Sequence, residues 1–246
     1  MTCWSCQRPA GSGEKCGSCG ALQPPELGAD HFHVLGLPRR FDLDAKAAEG
    51  RFRALSREVH PDRFATADPR ARKFSMQRTV QLNEAWKTLK DPVRRAEYLL
   101  SLDGWQVGAE SGASRPGAGG ARERLPVPPA LLGEVLELRE ELAEARAEGD
   151  DARVQKLAGD VRQRADEGMA SVASGFAAAE TAEDRARALE PVAHALIGIR
   201  YWRRFLDEVA LHDEAQEAKN DAAHEAAAAS REDDDSAAAS KGSARA

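Results

Sequence analysis

Four cysteines stand within the first twenty residues, as Cys3-x-x-Cys6 and Cys16-x-x-Cys19. Each C-x-x-C turn aims two sulfurs at one point. Two such turns complete a tetrahedral thiolate set of the kind that holds a structural Zn2+ ion. Gly17 and Gly20 suit the tight turns, and Lys15 can offset thiolate charge. The same residues allow a pair of disulfides or a redox dithiol. Structural disulfides need an oxidising compartment, and a thioredoxin-type dithiol needs a βαβ frame that the sequence does not offer. One Zn2+ is therefore the expected cofactor, with Cys3, Cys6, Cys16 and Cys19 as ligands. Residues 1–25 are so poor in apolar side chains that metal binding must supply their folding energy.

His60-Pro61-Asp62 is the second group able to do chemistry. As an acid–base pair, His60 and Asp62 would need a pocket and an orienting partner, which a turn between two helices does not provide. As local structure, either residue can cap the helix that follows.

The elements that place these residues read as helices. Asp44 can cap a helix through about Glu58, with Ala48, Phe52, Leu55 and Val59 on its apolar stripe. At about 100° per residue, Lys46, Arg53 and Arg57 fall within about 40° of one another on the opposite side. That face is either solvated or a docking surface. Pro61 ends the helix near Val59 by disfavouring the helical conformation at His60. A second helix is expected over 70–89, with Leu82, Ala85, Trp86 and Leu89 at helical spacing. Asp91-Pro92 breaks it and opens a short third helix carrying Ala96, Tyr98, Leu99 and Leu102.

A later block predicts about three helices. Pro128-Pro129 opens the first, with Leu131, Val135, Leu138 and Leu142 on one seam. Asp150-Asp151 opens the second, with Val154, Leu157, Val161, Met169, Val172 and Phe176 spaced for the bundle core. Thr181 with Asp184 reads as a capping box for the third, which runs to about Leu211 and is kinked or divided at Pro191. Leu132 and Leu136 lie about 100–140° off the first helix's seam, beside Glu137 and Glu140. They either cover a second neighbour or form a small exposed patch for another protein.

Composition and charge agree with this outline. Of 246 residues, 42% are hydrophobic, 31% charged and only 5% aromatic. Ala, Arg and Glu, all good helix formers, are abundant. Residues 31–105 hold 15 Lys/Arg against 10 Asp/Glu, whereas residues 127–212 hold 11 against 17. A basic module followed by an acidic one implies two different partners. Overall acidity and the lack of aromatics among the basic residues argue against a nucleic-acid binder. No apolar run approaches the ~20 residues that span a membrane, and the N-terminus does not read as a signal peptide. No phosphate loop or nucleophile elbow points to an enzyme. The segments expected are 1–25, a metal knuckle; 26–105, a helical domain; 106–126, a Gly/Ser/Pro/Ala linker; 127–212, the bundle; and 213–246, an acidic Ala-rich tail.

A basic helix, His-Pro-Asp, and a helix ending before Asp-Pro together resemble a J domain. More narrowly, HFHVLGLPRRFDLD, RFRALSREVHPDRF, QLNEAWKTLKDPVRRAEYLLSLDGW, LLGEVLELREEL and IRYWRRFLDE resemble the HscB family of co-chaperones for iron–sulfur cluster assembly, in order and spacing, over about residues 31–212. The fold implied is all-α: a J domain over 26–105 and a C-terminal three-helix bundle over 127–212, preceded by the zinc knuckle. The resemblance implies an ATP-driven chaperone of the HscA/DnaK type as partner. His60, Pro61 and Asp62 would be the switch that stimulates its ATPase, and Lys46, Arg53 and Arg57 would steer its acidic surface. It also implies an IscU-type cluster scaffold as partner, held by Leu132, Leu136, Glu137, Glu140, Arg200 and Tyr201. Gly133 stands where the family commonly carries a bulky apolar residue. The expected protein is a non-enzymatic co-chaperone, with a J-domain adaptor for some other client as the alternative. Its expected place is the bacterial cytoplasm, since no transit segment precedes Cys3, or the mitochondrial matrix for a processed eukaryotic chain.

Overall fold

The computed structural model describes residues 1–11, 13–107 and 125–213. Most of the expected linker and nearly all of the expected acidic tail lie outside them. Helices α1 (His31–Leu35), α2 (Ala45–Val59), α3 (Pro69–Leu89) and α4 (Pro92–Leu102) follow the cysteine segment, with a 3-10 turn, Pro61–Phe64, between α2 and α3. Then come α5 (Pro129–Glu148), α6 (Asp151–Thr181), α7 (Arg185–Ala188) and α8, which is helical over 190–213. Two isolated bridges, Thr2 with Pro9 and Lys15 with Leu22, are the β pairing among the described residues.

Aspartate starts most of these helices. The carboxylates of Asp30, Asp44, Asp68, Asp91 and Asp184 accept from backbone N–H groups of the first turn. Each such cap stabilises its helix by about 1 kcal/mol. Pro69 and Pro92 occupy first-turn positions whose N–H has no helical partner anyway. Expectation and structure differ at Thr181. It closes α6, its hydroxyl donating back to the Ala178 carbonyl, and Asp184 alone caps α7. Helix propensity in the Ala-rich run before Thr181 carries α6 on to that residue. The final break falls at Leu189, and Pro191 sits in the first turn of α8.

The chain forms two compact units, Met1–Pro126 with Met169–Ile197, and Val127–Gly168 with Gly198–Ala246. In the first, Phe32, Leu35, Leu55, Val59, Leu82, Leu89 and Leu99 form buried faces of α1 to α4. Phe41 stacks on Phe176 at 5.2 Å between ring centres, and the Asp103 carboxylate accepts from Arg185 while lying 3.6 Å from Arg39. In the second, Val135, Leu138 and Leu142 of α5, Val154, Leu157 and Val161 of α6, and Trp202, Phe205 and Val209 of α8 share one core. Val172 and Phe176, expected in that same core, are instead buried in the first unit, where Met169 also belongs. The reason is length. At ~1.5 Å per residue, the 31 residues of α6 are about 46 Å long, more than one small core can cover.

Candidate functional site

The two cysteine turns are built alike, thirteen residues apart. Cys3 N–H donates to the Arg8 carbonyl at 2.8 Å and Cys16 N–H to Ala21 at 2.9 Å; Gln7 N–H donates to Cys3 O and Gly20 N–H to Cys16 O. Gln7 and Gly20 both take positive φ, 62° and 71°. The four sulfurs converge within 4.8 Å of one another. Cys3 to Cys19 and Cys6 to Cys16 each measure 3.7 Å between sulfurs, and all four are free thiols. A tetrahedron with metal–sulfur bonds of about 2.3 Å has edges of about 3.8 Å. The cluster therefore fits a tetrahedral metal ion, and it is far too open for S–S bonds.

The knuckle's own backbone favours thiolate. The Cys6 N–H directed at Cys3 outweighs desolvation and, with the Ser5 N–H and the Gln23 amide, holds the Cys3 thiol down to about 6. Cys16 is lowered in the same way, by the N–H groups of Cys19 and Ser18. At Cys6 the Arg8 N–H acts in the lowering direction, but desolvation and the neighbouring sulfurs overcome it and push the thiol up to about 11. Crowded sulfurs cannot all ionise without a cation among them.

The knuckle docks on one side of α3. Trp4 donates its indole N–H to Leu22 O at 2.7 Å, meets Phe74 edge-on at 6.0 Å, and lies under the Arg70 guanidinium. Arg78 donates to the carbonyls of Gln23 (2.9 Å) and Pro24 (3.2 Å) and faces Glu14 at 3.8 Å. Burial raises the Glu14 carboxyl above the usual range, and the Arg78 charge opposes that shift. None of these docking contacts was read from the sequence. Trp4 was the available signal, as a large aromatic in an otherwise polar segment.

His60, Pro61 and Asp62 form the turn at the end of α2. The Asp62 N–H donates to His60 Nδ1 at 3.3 Å, and the carboxylate lies 3.4 Å from the same nitrogen. Their side chains are 54% and 89% exposed. Such exposure suits a surface contact and not an acid–base pocket. Arg63 ties the turn back to the Arg57 carbonyl. Lys46, Arg53 and Arg57 are exposed along α2, with Arg53 paired to Glu49.

On α5 the two leucine sets separate as the helical angles require. Val135, Leu138 and Leu142 are buried, while Leu132 is 41% and Leu136 60% exposed. Glu137 and Glu140 are exposed beside them, and Gly133 opens onto free space. Arg200 and Tyr201 are half-buried on α8, Tyr201 against the core that α5 also enters.

Comparison with known proteins gives these surfaces a context. The family model described as the DnaJ domain matches residues 30–98, and that described as the HSCB C-terminal oligomerisation domain matches 127–210. The solved structure of chaperone HscB from Vibrio cholerae is 31% identical with a TM-score of 0.61, covering 76% of this chain and 99% of that one. The chain belongs to the HscB family of J-domain co-chaperones. The crystal structure of human co-chaperone protein HscB is 27% identical with a TM-score of 0.70, covering 87% of this chain and 98% of its own. Curated HscB homologues include one from Vibrio cholerae, 43% identical over 121 residues, and one from Bordetella petrii, 42% over 125. Those matches take in 49% and 51% of this chain and only 64% and 65% of the relatives. Within the HscB frame, α2, the 3-10 turn and α3 are the J-domain hairpin with its His-Pro-Asp turn. No helix among the described residues is long and apolar enough to cross a membrane.

Proposed function

We propose that this chain is a cytoplasmic co-chaperone that brings an IscU-type iron–sulfur scaffold to an HscA/DnaK-type chaperone and stimulates the chaperone's ATPase. The observation that carries the reading is an exposed His-Pro-Asp turn at the end of a helix whose outer face presents Lys46, Arg53 and Arg57, in a chain of HscB family. Cations on one exposed face raise the rate of encounter with an acidic partner more than they raise affinity. His60, Pro61 and Asp62 make the contact that matters for hydrolysis. As a J-domain protein of this family it acts on a partner enzyme, whose ATP hydrolysis it stimulates.

The scaffold sits on the second unit. Leu132 and Leu136 give it an apolar footing, Glu137 and Glu140 set the charge, and Arg200 and Tyr201 complete the surface. Cys3, Cys6, Cys16 and Cys19 hold one structural Zn2+, which fastens two chain turns that have little apolar surface of their own.

The ATPase rate of the cognate chaperone tests this, measured with the protein, with the scaffold and with both. Synergy is expected, and Asp62→Asn should abolish it while leaving scaffold binding intact. Stimulation without synergy would keep the J-domain role and remove the scaffold. No stimulation by the unmodified chain would overturn the co-chaperone reading for that chaperone.

A further inference from the structure

The side of α3 that meets the knuckle and the side that meets α2 are bridged by adjacent residues. On the knuckle side, Arg78 Nε donates to Gln23 O, and the buried Gln23 side chain donates to Cys3 Sγ at 3.4 Å. On the α2 side, the buried Ser75 hydroxyl donates to Val59 O at 2.6 Å, and Thr79 reaches the same carbonyl at 3.5 Å. Val59 is the last residue of α2, directly before His60. One turn of α3, Ser75 to Thr79, thus lies between the metal ligand Cys3 and the carbonyl from which the His-Pro-Asp turn departs.

These contacts reach across the fold in different ways. Ser75–Val59 is buried, so its loss leaves the Val59 carbonyl with only the long Thr79 contact. Arg78 offers a planar fork to two carbonyls and an ion pair to Glu14, and it does so only while residues 14–24 hold their shape. That shape depends on the cysteines, because the described residues of 1–24 bury little else: Ala10 and Leu22 are the buried apolar side chains besides Cys3 and Cys16.

We propose that Arg78 and Ser75 are positioning residues through which the metal-loaded knuckle braces the His-Pro-Asp turn. The inference rests on the metal and J-domain roles above and assigns the knuckle a task in them. Metal loss frees residues 14–24, removes the Arg78 anchors and lets α3 loosen against Val59. The turn then samples more conformations, and partner stimulation falls although no residue of the turn has changed.

Amide hydrogen exchange on the full chain tests this, zinc-loaded and after chelation, with metal content measured on the same samples. Chelation should speed exchange over 57–64 and 74–82 about tenfold, the scale of losing one hydrogen bond to a charged group, and leave 135–146 of the second unit unchanged. In Arg78→Ala, one zinc should still bind while exchange over 57–64 no longer responds to it. Arg78→Lys, which keeps the charge but not the fork, should respond only in part and serves if the alanine variant misfolds. Stimulation of the chaperone should likewise become independent of zinc in Arg78→Ala. Unchanged exchange at 57–64 on chelation of the unmodified chain would overturn the brace while leaving the zinc site standing. A chain that binds no zinc would overturn both.

Discussion

Gln7 and Gly20 follow the second cysteine of each turn and share a left-handed backbone, yet only one of them is glycine. A side chain at positive φ costs about 1–2 kcal/mol. Gly20 has free space around its Cβ position, so a substitution there meets backbone strain alone; Gly17 has free space too, and its φ is ordinary. Gly20→Ala should therefore weaken zinc binding about fivefold, the equivalent of ~1 kcal/mol, whereas Gly17→Ala should leave it unchanged. A competition titration against a chromogenic chelator reads both, and equal effects would show that the turn does not need the left-handed residue. Residue type carried the cysteines and the His-Pro-Asp triplet in the sequence, because their chemistry is specific to those side chains. It did not carry Gln7, since glutamine does not advertise a left-handed backbone, nor Arg78, which looks like any surface cation until its two carbonyl partners are placed.

Element by element, periodicity carried the long helices well, since each declares its apolar stripe and an Asp or Pro marks its start, whereas the five-residue α1 and four-residue α7 are too short to show one. α5 shows how far that goes. Its exposed leucines stand outside the core cluster, so Leu132→Ala with Leu136→Ala should change stability by no more than about 0.5 kcal/mol per site while scaffold affinity falls. Leu142→Ala, in the core, should cost about 2–5 kcal/mol. Chemical denaturation and a binding titration on the same samples separate the two, and a large loss of stability in the double variant would place those leucines in packing. Close approach between helices is less legible. A Cβ at Gly175 would collide with Val192 Cγ2, so Gly175→Ala should cost about 1–3 kcal/mol by overpacking. Gly133→Ala, opening onto space and in mid-helix, should be neutral or slightly stabilising. Both glycines look alike in sequence, because nothing local distinguishes a contact point from a free surface.

At the scale of the whole molecule, periodicity shows that a face is apolar but not which surface will cover it. Val172 and Phe176 continue the stripe of Val154, Leu157 and Val161, which made a single bundle the natural expectation. The structure instead gathers residues 169–197 with the first 126 into one unit. Phe41, 9% exposed, stacks on Phe176, and Asp103, close to Arg39, binds Arg185. The J-domain segment of this chain therefore shares its packing with residues 169–197. A fragment ending at residue 126 exposes Phe41 and leaves Asp103 without Arg185. Loss of one large aromatic partner alone costs about 3–5 kcal/mol, as in a Phe176→Ala substitution. At about 4–8 °C per kcal/mol for a domain near 100 residues, the fragment should melt at least 10 °C below the corresponding unit of the full chain. Calorimetry of the two, both zinc-loaded, measures the difference. A fragment as stable as the full chain would mean that residues 169–197 lie against the J-domain segment without supporting it, and Phe176→Ala would then leave the first unit's transition where it was.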